Sequence, residues 1–304
     1  MKRMKGPGVF AYILAMTFSS ISSAEEDDPF HVTLPSGVKV EIVGVVTNGS
    51  PLSEGWKPDG GPLGAIEDWP EKIRRIISRK GEIISIGDNG EPDKNARDLL
   101  WRFYGFKSQP SIKMSFPNGS YGWSSPPLSD PYYFSAGYIP QKPMKHITVR
   151  LGMTDELWGT TQEVSTTGEF LNDLTKDDYH LGIYQSVKVL RVSPSKNDQT
   201  SMEIALEMPA EYQTLFDFKL VAINDQNTRM TSNESSTSYE PGPLKTKRTL
   251  FTSRFDLPED RLARFEYKLR PYRYWITYEN VSFEPDQMTE VKISVETVTD
   301  PEPQ

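Results

Sequence analysis

The stretch G-V-K-V-E-I-V-G-V-V-T at residues 37–47 decides the fold class, because its apolar and charged side chains alternate. In an extended chain, Val38, Val40 and Ile42 lie on one face and Lys39 and Glu41 on the other. A period of two predicts a β-strand with one buried face and one polar face. Similar short runs recur between Pro, Gly, Asn and Asp residues along the chain, so we expect a mainly β protein.

The other predicted strands follow from the same reasoning. Residues 146–153, H-I-T-V-R-L-G-M, alternate again, and residues 157–166 are expected to pair with them after a turn at 154–156. Residues 98–106 and 111–116 are predicted to be neighbouring strands. The remaining β-type runs are at 184–192, 201–207, 215–223, 244–255, 264–269, 272–283 and 289–297.

Three segments depart from this pattern. Residues 71–80 are the only good helix candidate, between Pro70 and Gly81, with the end of a strand as the alternative. Residues 118–141 are rich in Pro, Gly, Ser and Tyr without a period, which predicts an ordered loop or a crossover. Residues 224–243 are rich in Asn, Ser and Thr and are expected to be mobile.

Polar residues accumulate at 168–178 between two strand-rich halves, which predicts a domain boundary. We therefore expect two sandwich-like β halves with at most one or two short helices. The expected division is a leader at 1–24, an N-terminal β domain at 25–170, a C-terminal β domain at 171–298 and a flexible tail at 299–304.

The leader prediction rests on a basic start, an apolar segment at 9–18 and the small residues Ser22, Ser23 and Ala24. This pattern is typical of a cleavable signal peptide, so we expect a secreted or periplasmic protein. The apolar segment is much shorter than the ~20 residues that a membrane-spanning helix needs. The sequence therefore predicts no transmembrane anchor after leader cleavage.

Composition narrows the classes of partner and chemistry. The 304 residues include 34 basic and 42 acidic side chains, a formal net charge of -8, which disfavours nucleic acid and anionic lipid as partners. Cysteine is absent, so the chain has neither a disulfide nor a thiol nucleophile. An exported chain of this size without cysteine is more typical of a bacterial envelope than of animal secretion.

Three segments in this order together resemble an uncharacterised planctomycete-type secreted domain: residues 34–46 followed by 56–63, residues 146–160, and residues 256–285. Its first motif, G-x-x-V-E-L-x-G-V followed by W-x-P-D-G, matches residues 37–45 and 56–60, with Gly55 where a second Trp is usual. Its second motif, F-x-x-x-x-R-P-Y followed by N-V-x-L-x-P, matches residues 265–272 and 280–285, with Phe283 in place of Leu. The resemblance implies an extracytoplasmic domain that occurs alone or appended to membrane metallopeptidases and sigma-factor regulators, and it implies no activity.

Local motifs for catalysis are absent from the sequence. His31, His146 and His180 are far apart, and there is no H-E-x-x-H, G-x-S-x-G, phosphate loop or dinucleotide fingerprint. One loop offers hard oxygen ligands around Gly87 and Gly90, which makes calcium the one cofactor considered, against an ordinary solvated turn. The candidate calcium ligands are Asp88, Asn89, Glu91 and Asp93.

Aromatic side chains in the 118–141 segment are the best binding candidates, because loops carry function and flat rings stack on sugars or peptides. The alternative is that these rings pack in the core. The candidate binding residues are Tyr121, Trp123, Tyr132, Tyr133 and Tyr138. We therefore predict a noncatalytic binding or interaction module of the bacterial envelope, with an unknown glycan or protein as partner. The alternative is a polysaccharide-active hydrolase with a carboxylate pair in a cleft between the halves.

Overall fold

The computed structural model describes residues 29–47, 50, 54–63, 95–106, 110–117, 119–124, 129–154, 161–166, 187–194, 200–208, 216–232, 234–241 and 247–298. Within these ranges the chain is mainly β, with antiparallel sheets in a sandwich-like arrangement and one short 3₁₀ helix, Glu259–Arg261. The predicted fold class is confirmed. The leader at 1–24, the helix prediction at 71–80 and the tail at 299–304 lie outside the described residues.

The first sandwich combines a five-stranded and a four-stranded sheet. The strands of the larger sheet are β1 (His31–Thr33), β2 (Lys39–Thr47), β3 (Arg97–Tyr104), β5 (Gly119–Ser124) and β6 (Tyr132–Pro140), in the order β1-β2-β3-β6-β5. The strands of the smaller sheet are β4 (Ser111–Ser115), β7 (His146–Thr154), β16 (Tyr274–Ser282) and β17 (Lys292–Thr297), in the order β17-β16-β7-β4.

The core of the first sandwich lies between these sheets and contains the alternating apolar residues of β2. Val38, Val40 and Ile42 are buried, as the sequence predicts. Across the core, the ring centroids of Trp101 and Tyr278 are 5.3 Å apart in an edge contact. The Tyr278 hydroxyl also donates a hydrogen bond of 3.2 Å to the Val40 carbonyl, so the contact between the sheets is both apolar and directional.

The second sandwich is built from the strands between β7 and β16. One sheet contains β8 (Thr161–Ser165), β11 (Phe216–Asn224), β12 (Arg229–Thr231) and β15 (Leu262–Pro271), in the order β12-β11-β15-β8. The other contains β9 (Val187–Pro194), β10 (Thr200–Met208), β13 (Glu234–Pro241) and β14 (Lys247–Phe255), in the order β13-β14-β10-β9. Phe255 and Phe265 join the two sheets, with ring centroids 5.9 Å apart.

Two pairings expected from the sequence are wrong. The segments at 98–106 and 111–116 become β3 and β4, but β4 pairs with β7 in the opposite sheet. The segment at 157–166 becomes β8, which pairs with β15 and not with β7. Alternation determines which face of a strand is buried, but several strands with the same pattern compete as partners.

Two segments expected to lack strands contain them. The predicted loop at 118–141 contains β5 and β6, which pair antiparallel. The segment at 224–243, expected to be mobile, contains β12 and β13, and β13 pairs with β14 along its length. Pairing with neighbouring strands stabilises these segments as strands, although their polar composition does not predict strands.

The sheets do not follow the expected division at residue 170. Strands β16 and β17, from the C-terminal half, complete the sheet that contains β4 and β7. Strand β8, from the N-terminal half, belongs to the second sandwich. The first sandwich is therefore discontinuous in sequence. Residues 161–271, which contain the strands of the second sandwich, are inserted between β7 and β16, which are neighbouring strands of one sheet.

A loop and a turn that we call the clasp join the two ends of the first sandwich. The loop is residues 56–60 and the turn is residues 282–289. The Trp56 indole donates a 3.0 Å hydrogen bond to the carbonyl of Ser282, 226 positions away. The backbone amides of Ser282, Asp286 and Thr289 donate to the carbonyls of Pro58, Gly60 and Asp59 at 2.6, 2.9 and 2.8 Å, respectively.

The clasp brings together the segments on which the family resemblance rests, since W-x-P-D-G supplies its loop and N-V-x-L-x-P overlaps its turn. Arg97 reinforces the contact from β3. Its Nε donates to the Phe283 carbonyl at 2.9 Å, and its guanidinium lies 5.7 Å from the Trp56 ring centroid. Residues 56–60 therefore form a turn that holds the two ends of the first sandwich together.

Gly60 is the position in the clasp that tolerates no side chain. Its φ is +92°, a conformation that L residues with a Cβ rarely adopt. A Cβ at this position would lie 2.2 Å from the Gln287 carbonyl oxygen, and backbone cannot move aside as a flexible side chain can. Glycine is therefore required at this position for two reasons. The turn needs a positive φ, and a Cβ would clash with the Gln287 backbone.

Gly60→Ala is expected to lower the free energy of unfolding by about 2–4 kcal/mol, because it adds a backbone clash to the cost of positive φ. Gly37→Ala is the matched control, since Gly37 has φ +86° and open space around its missing Cβ. That variant is expected to lose only about 1 kcal/mol. Urea denaturation of both variants measures the difference, and equal losses would contradict the close approach at Gly60.

Candidate functional site

The aromatic residues proposed from the sequence as a binding strip are largely core residues. Tyr132, Tyr133 and Tyr138 on β6 are all buried, with 3%, 5% and 0% of their surfaces exposed. The ring of Tyr138 stacks on Phe116 at 4.7 Å, and its hydroxyl donates a hydrogen bond to the Pro117 carbonyl. Burial raises the pKa of this Tyr138 hydroxyl.

The expectation of an exposed aromatic loop is therefore wrong for Tyr132, Tyr133 and Tyr138. Tyr132 and Tyr138 lie on the face of β6 that packs in the core of the first sandwich, whereas Tyr133 is buried on the opposite face of the strand. Tyr121 and Trp123 lie on β5, at register positions opposite Tyr138 and Ala136. The candidate binding strip is consequently part of a sheet.

The structure does not test the calcium prediction. Asp88, Asn89, Glu91 and Asp93 all lie outside the described residues. Within the ranges that the structure describes, no three His, Asp or Glu side chains are grouped closely enough to hold a metal ion.

The strongest grouping of ionisable side chains lies on one face of the sheet β12-β11-β15-β8. Strand β15 reads L-A-R-F-E-Y-K-L-R-P, and its Phe265 and Tyr267 face the core while the charged residues face the other way. The cross-strand register places the charged residues of the neighbouring strands on this same face. We call this surface the charged face; it comprises Glu163, Asp217, Lys219, Arg229, Arg264, Glu266, Lys268 and Arg270.

Glu266 lies at the centre of the charged face and is almost fully buried, with 1% of its surface exposed. Its carboxylate accepts hydrogen bonds from Arg229 Nε at 3.1 and 3.2 Å and from the Arg229 terminal nitrogen at 2.7 Å. Lys268 Nζ lies 3.3 Å from the same carboxylate. The hydrogen bonds from Arg229 outweigh the opposing effect of burial and, together with the hydrogen bond and the charge of Lys268, lower the pKa of Glu266.

Glu163 and Glu266 are directly opposite each other on β8 and β15. Two apposed carboxylates repel unless cations lie between them. Arg264 supplies this compensation on the Glu163 side, where its Nε lies 3.1 Å from the carboxylate. Arg264 also donates to the Asn227 side-chain oxygen at 2.8 Å, which fixes the guanidinium between β8 and the turn before β12.

The other end of the charged face has an excess of positive charge. Arg270 and Asp217 form a cross-strand ion pair with a separation of 3.1 Å. The next pair along the strands is Lys219 opposite Lys268. Burial lowers the pKa of the half-buried Lys219, and the neighbouring charges of Lys268 and Arg270 lower it further against the opposing effect of Asp217.

Among the described residues of the charged face, basic side chains outnumber acidic ones, whereas acidic residues predominate in the whole chain. The signal was present in the sequence as charges at every second position of residues 264–270. Sequence reasoning read this segment only as a strand. What it lacked was the register with β11, β12 and β8, which brings the other charged residues beside it.

Comparison of the chain with protein-family models, with curated proteins and with solved structures found no match in any of the three. The resemblance to a planctomycete-type domain therefore remains an expectation. In the described part of the chain, no helix combines the length and apolar character needed to cross a membrane.

Glu266→Gln is expected to lower the free energy of unfolding at neutral pH by about 1–3 kcal/mol, because a charged hydrogen-bond acceptor is lost from a buried site. A carboxylate with a lowered folded pKa stabilises the fold above its unfolded pKa, here 4.5, and this stability is lost as pH falls through the folded pKa. The difference between wild type and variant should therefore shrink below about pH 4.5.

Urea denaturation across this pH range measures the effect. Glu279→Gln is the control, since Glu279 is exposed on β16. A wild-type to Glu266→Gln difference that stays constant from neutral to acid pH would contradict the ion-pair assignment.

Proposed function

We propose that the chain is an exported, noncatalytic binding module of the bacterial envelope, and that the charged face is its ligand-binding surface. One observation carries this proposal. The described residues of the charged face include more basic than acidic side chains, whereas the whole chain has a net charge of -8. The excess of basic groups favours an anionic ligand. The expected leader supports an extracytoplasmic location.

The position of the charged face within its sheet favours a polysaccharide over a peptide. Strands β11 and β15 are interior, so both of their backbone edges are already paired. A peptide that binds by strand addition needs a free edge. Side chains alone are available at this surface, and they suit a polymer that carries anionic groups at regular intervals, such as an acidic polysaccharide.

For the hydrolase alternative, the carboxylate pair to consider in the charged face is Glu163 and Glu266, which are directly opposite each other on β8 and β15. A glycosidase needs one carboxyl group with a raised pKa that can donate a proton to the leaving group. Glu266 has a lowered pKa and is held by Arg229 and Lys268. This arrangement supports a structural and charge-balancing role for Glu266, and hence the binding proposal.

Thr231 allows the ligand surface to be tested without breaking an ion pair, because it is exposed on β12, opposite Val221 of the same face. Thr231→Lys is expected to strengthen binding to polygalacturonate by about three- to tenfold, and Thr231→Glu to weaken it by a similar factor. Binding should also fall as salt rises. Immobilised polygalacturonate, dextran sulfate and neutral dextran, probed with the full purified chain, give the measurement.

The same pair of substitutions at Ser294, exposed on β17 of the first sandwich, is the control. These variants change the net charge equally but lie on a different sheet. The proposal is contradicted if neutral dextran is bound as tightly as the acidic polymers, or if Ser294 variants alter binding as much as Thr231 variants.

A further inference from the structure

Strand β17 has an open backbone edge. In the sheet β17-β16-β7-β4 it pairs with β16 on one side, and no other described strand lies on its other side. Its pairing with β16 is regular over Lys292–Thr297, and the strand contains neither a bulge nor a proline. Such an edge presents a row of backbone amides and carbonyls with which another strand can pair.

Other edge strands in the described part of the chain have features that hinder pairing. β1 and β12 have only three residues each. β9 and β13 end in a proline, and the register of β9 with β10 is irregular. Short edges, prolines and bulges are the means by which sheets avoid association with another chain. Strand β17 has none of these features.

The hydrogen-bond pattern shows which backbone groups of β17 face outward. The amide of Val298 donates to the carbonyl of Arg273 at 2.8 Å, and the register of β16 and β17 makes these two residues directly opposite. Hydrogen-bonded pairs of an antiparallel ladder recur at every second residue, so Ser294 also bonds to β16. The amides and carbonyls of Ile293 and Val295 therefore point away from β16, toward the open edge.

The core side of β17 is incompletely covered. Val291, Ile293 and Val295 pack against the core of the first sandwich but are only partly buried. A further strand at this edge would cover the exposed part of these side chains. Its apolar contacts would add to the backbone hydrogen bonds.

The sequence of β17 is complementary to itself in antiparallel pairing. When Ser294 lies opposite Ser294 of a second copy, Lys292 of each copy lies opposite Glu296 of the other. The same register places Ile293 of each copy opposite Val295 of the other on the core side. Opposite charges and β-branched side chains stabilise a sheet when they are directly opposite each other. A second copy of this chain is therefore the partner that this edge fits.

Glu296 is able to form both an intrachain and an interchain ion pair. Arg150 Nη2 donates to Glu296 Oε2 at 2.8 Å within the chain. A carboxylate has two oxygens, so Oε1 can accept a hydrogen bond from Lys292 of the second copy. Lys292 is exposed, and 17% of the Glu296 side chain remains exposed.

We propose that the protein forms a symmetric dimer in which β17 pairs with β17 of a second copy, centred on Ser294. The two four-stranded sheets then form one continuous sheet across a two-fold axis. A single short strand buries less surface than a standard interface, so the expected Kd is about 10–100 µM. The inference does not depend on the charged face, which lies on a different sheet.

Charge reversal at the two ends of the pair tests the register. Lys292→Glu places like charges opposite each other twice in the dimer, and so does Glu296→Lys. Each variant alone is expected to dimerise about tenfold more weakly than wild type. An equimolar mixture of the two variants restores opposite charges at both positions and is expected to associate about as tightly as wild type. Sedimentation velocity of the full purified chain, from about 5 to 500 µM, gives the measurement.

Lys142→Glu is the matched control, because Lys142 is exposed in the turn between β6 and β7. It changes the net charge as Lys292→Glu does and is expected to dimerise as wild type does. The proposal is overturned if wild type is monomeric over the whole range, if Lys142→Glu weakens the dimer as much as Lys292→Glu, or if the mixture associates no better than either variant alone.

Amide hydrogen exchange of wild type, followed by NMR, locates the interface without any substitution. The amides of Ile293 and Val295 are expected to exchange more slowly as the protein concentration rises through the Kd, because they become bonded only in the dimer. The Ser294 amide, which is bonded to β16, should be protected at every concentration. A dimer that leaves the exchange of Ile293 and Val295 unchanged has its interface elsewhere and overturns the proposal.

The dimer and the proposed function can fail independently. Polymer binding of the Thr231 and Ser294 variants is compared at protein concentrations below the Kd of the dimer, so that pairing at β17 does not contribute. A monomeric chain that binds the acidic polymers removes the dimer and leaves the binding module. A chain that dimerises through β17 but binds no acidic polymer removes the polysaccharide function and leaves the dimer.

Discussion

The clasp is the constraint on which the first sandwich depends, because it joins strands from opposite ends of the chain. Its polar contacts are backbone amides and an indole that donate to backbone carbonyls, so they depend on chain geometry more than on side-chain identity. Gly60 permits the close approach to the Gln287 backbone, and the buried Trp56 indole donates its hydrogen bond to Ser282. With the ends joined, residues 161–271 leave and return between β7 and β16, which are neighbouring strands of one sheet.

Many strand positions could be predicted from the sequence, but the strands in the segments 118–141 and 224–243 could not, and neither could the strand partners. Alternation in residues 37–47 and 146–153 identified β2 and β7 and the faces that they bury. The partners of β4 and β8 depend on which of several similar strands is adjacent, and that choice depends on contacts distant in sequence. The calcium loop and the leader lie outside the described residues and remain predictions.

The candidate site was missed because aromatic rings were weighed above alternating charge. Tyr132 and Tyr138 belong to an interior strand, so their large apolar area is used in the core. The charged side chains of β15 indicate a charged face only once the strand register is known, because the register places Lys219 opposite Lys268 and Glu163 opposite Glu266.

Native-state hydrogen exchange tests the clasp most directly, because it reports the opening of individual backbone amides. The account predicts that the amides of Ser282, Asp286 and Thr289 exchange only on global unfolding of the first sandwich. Their protection should then equal that of Ile276, in the middle of β16. Exchange of these three amides orders of magnitude faster than that of Ile276 would show that the turn opens independently, and would contradict the account.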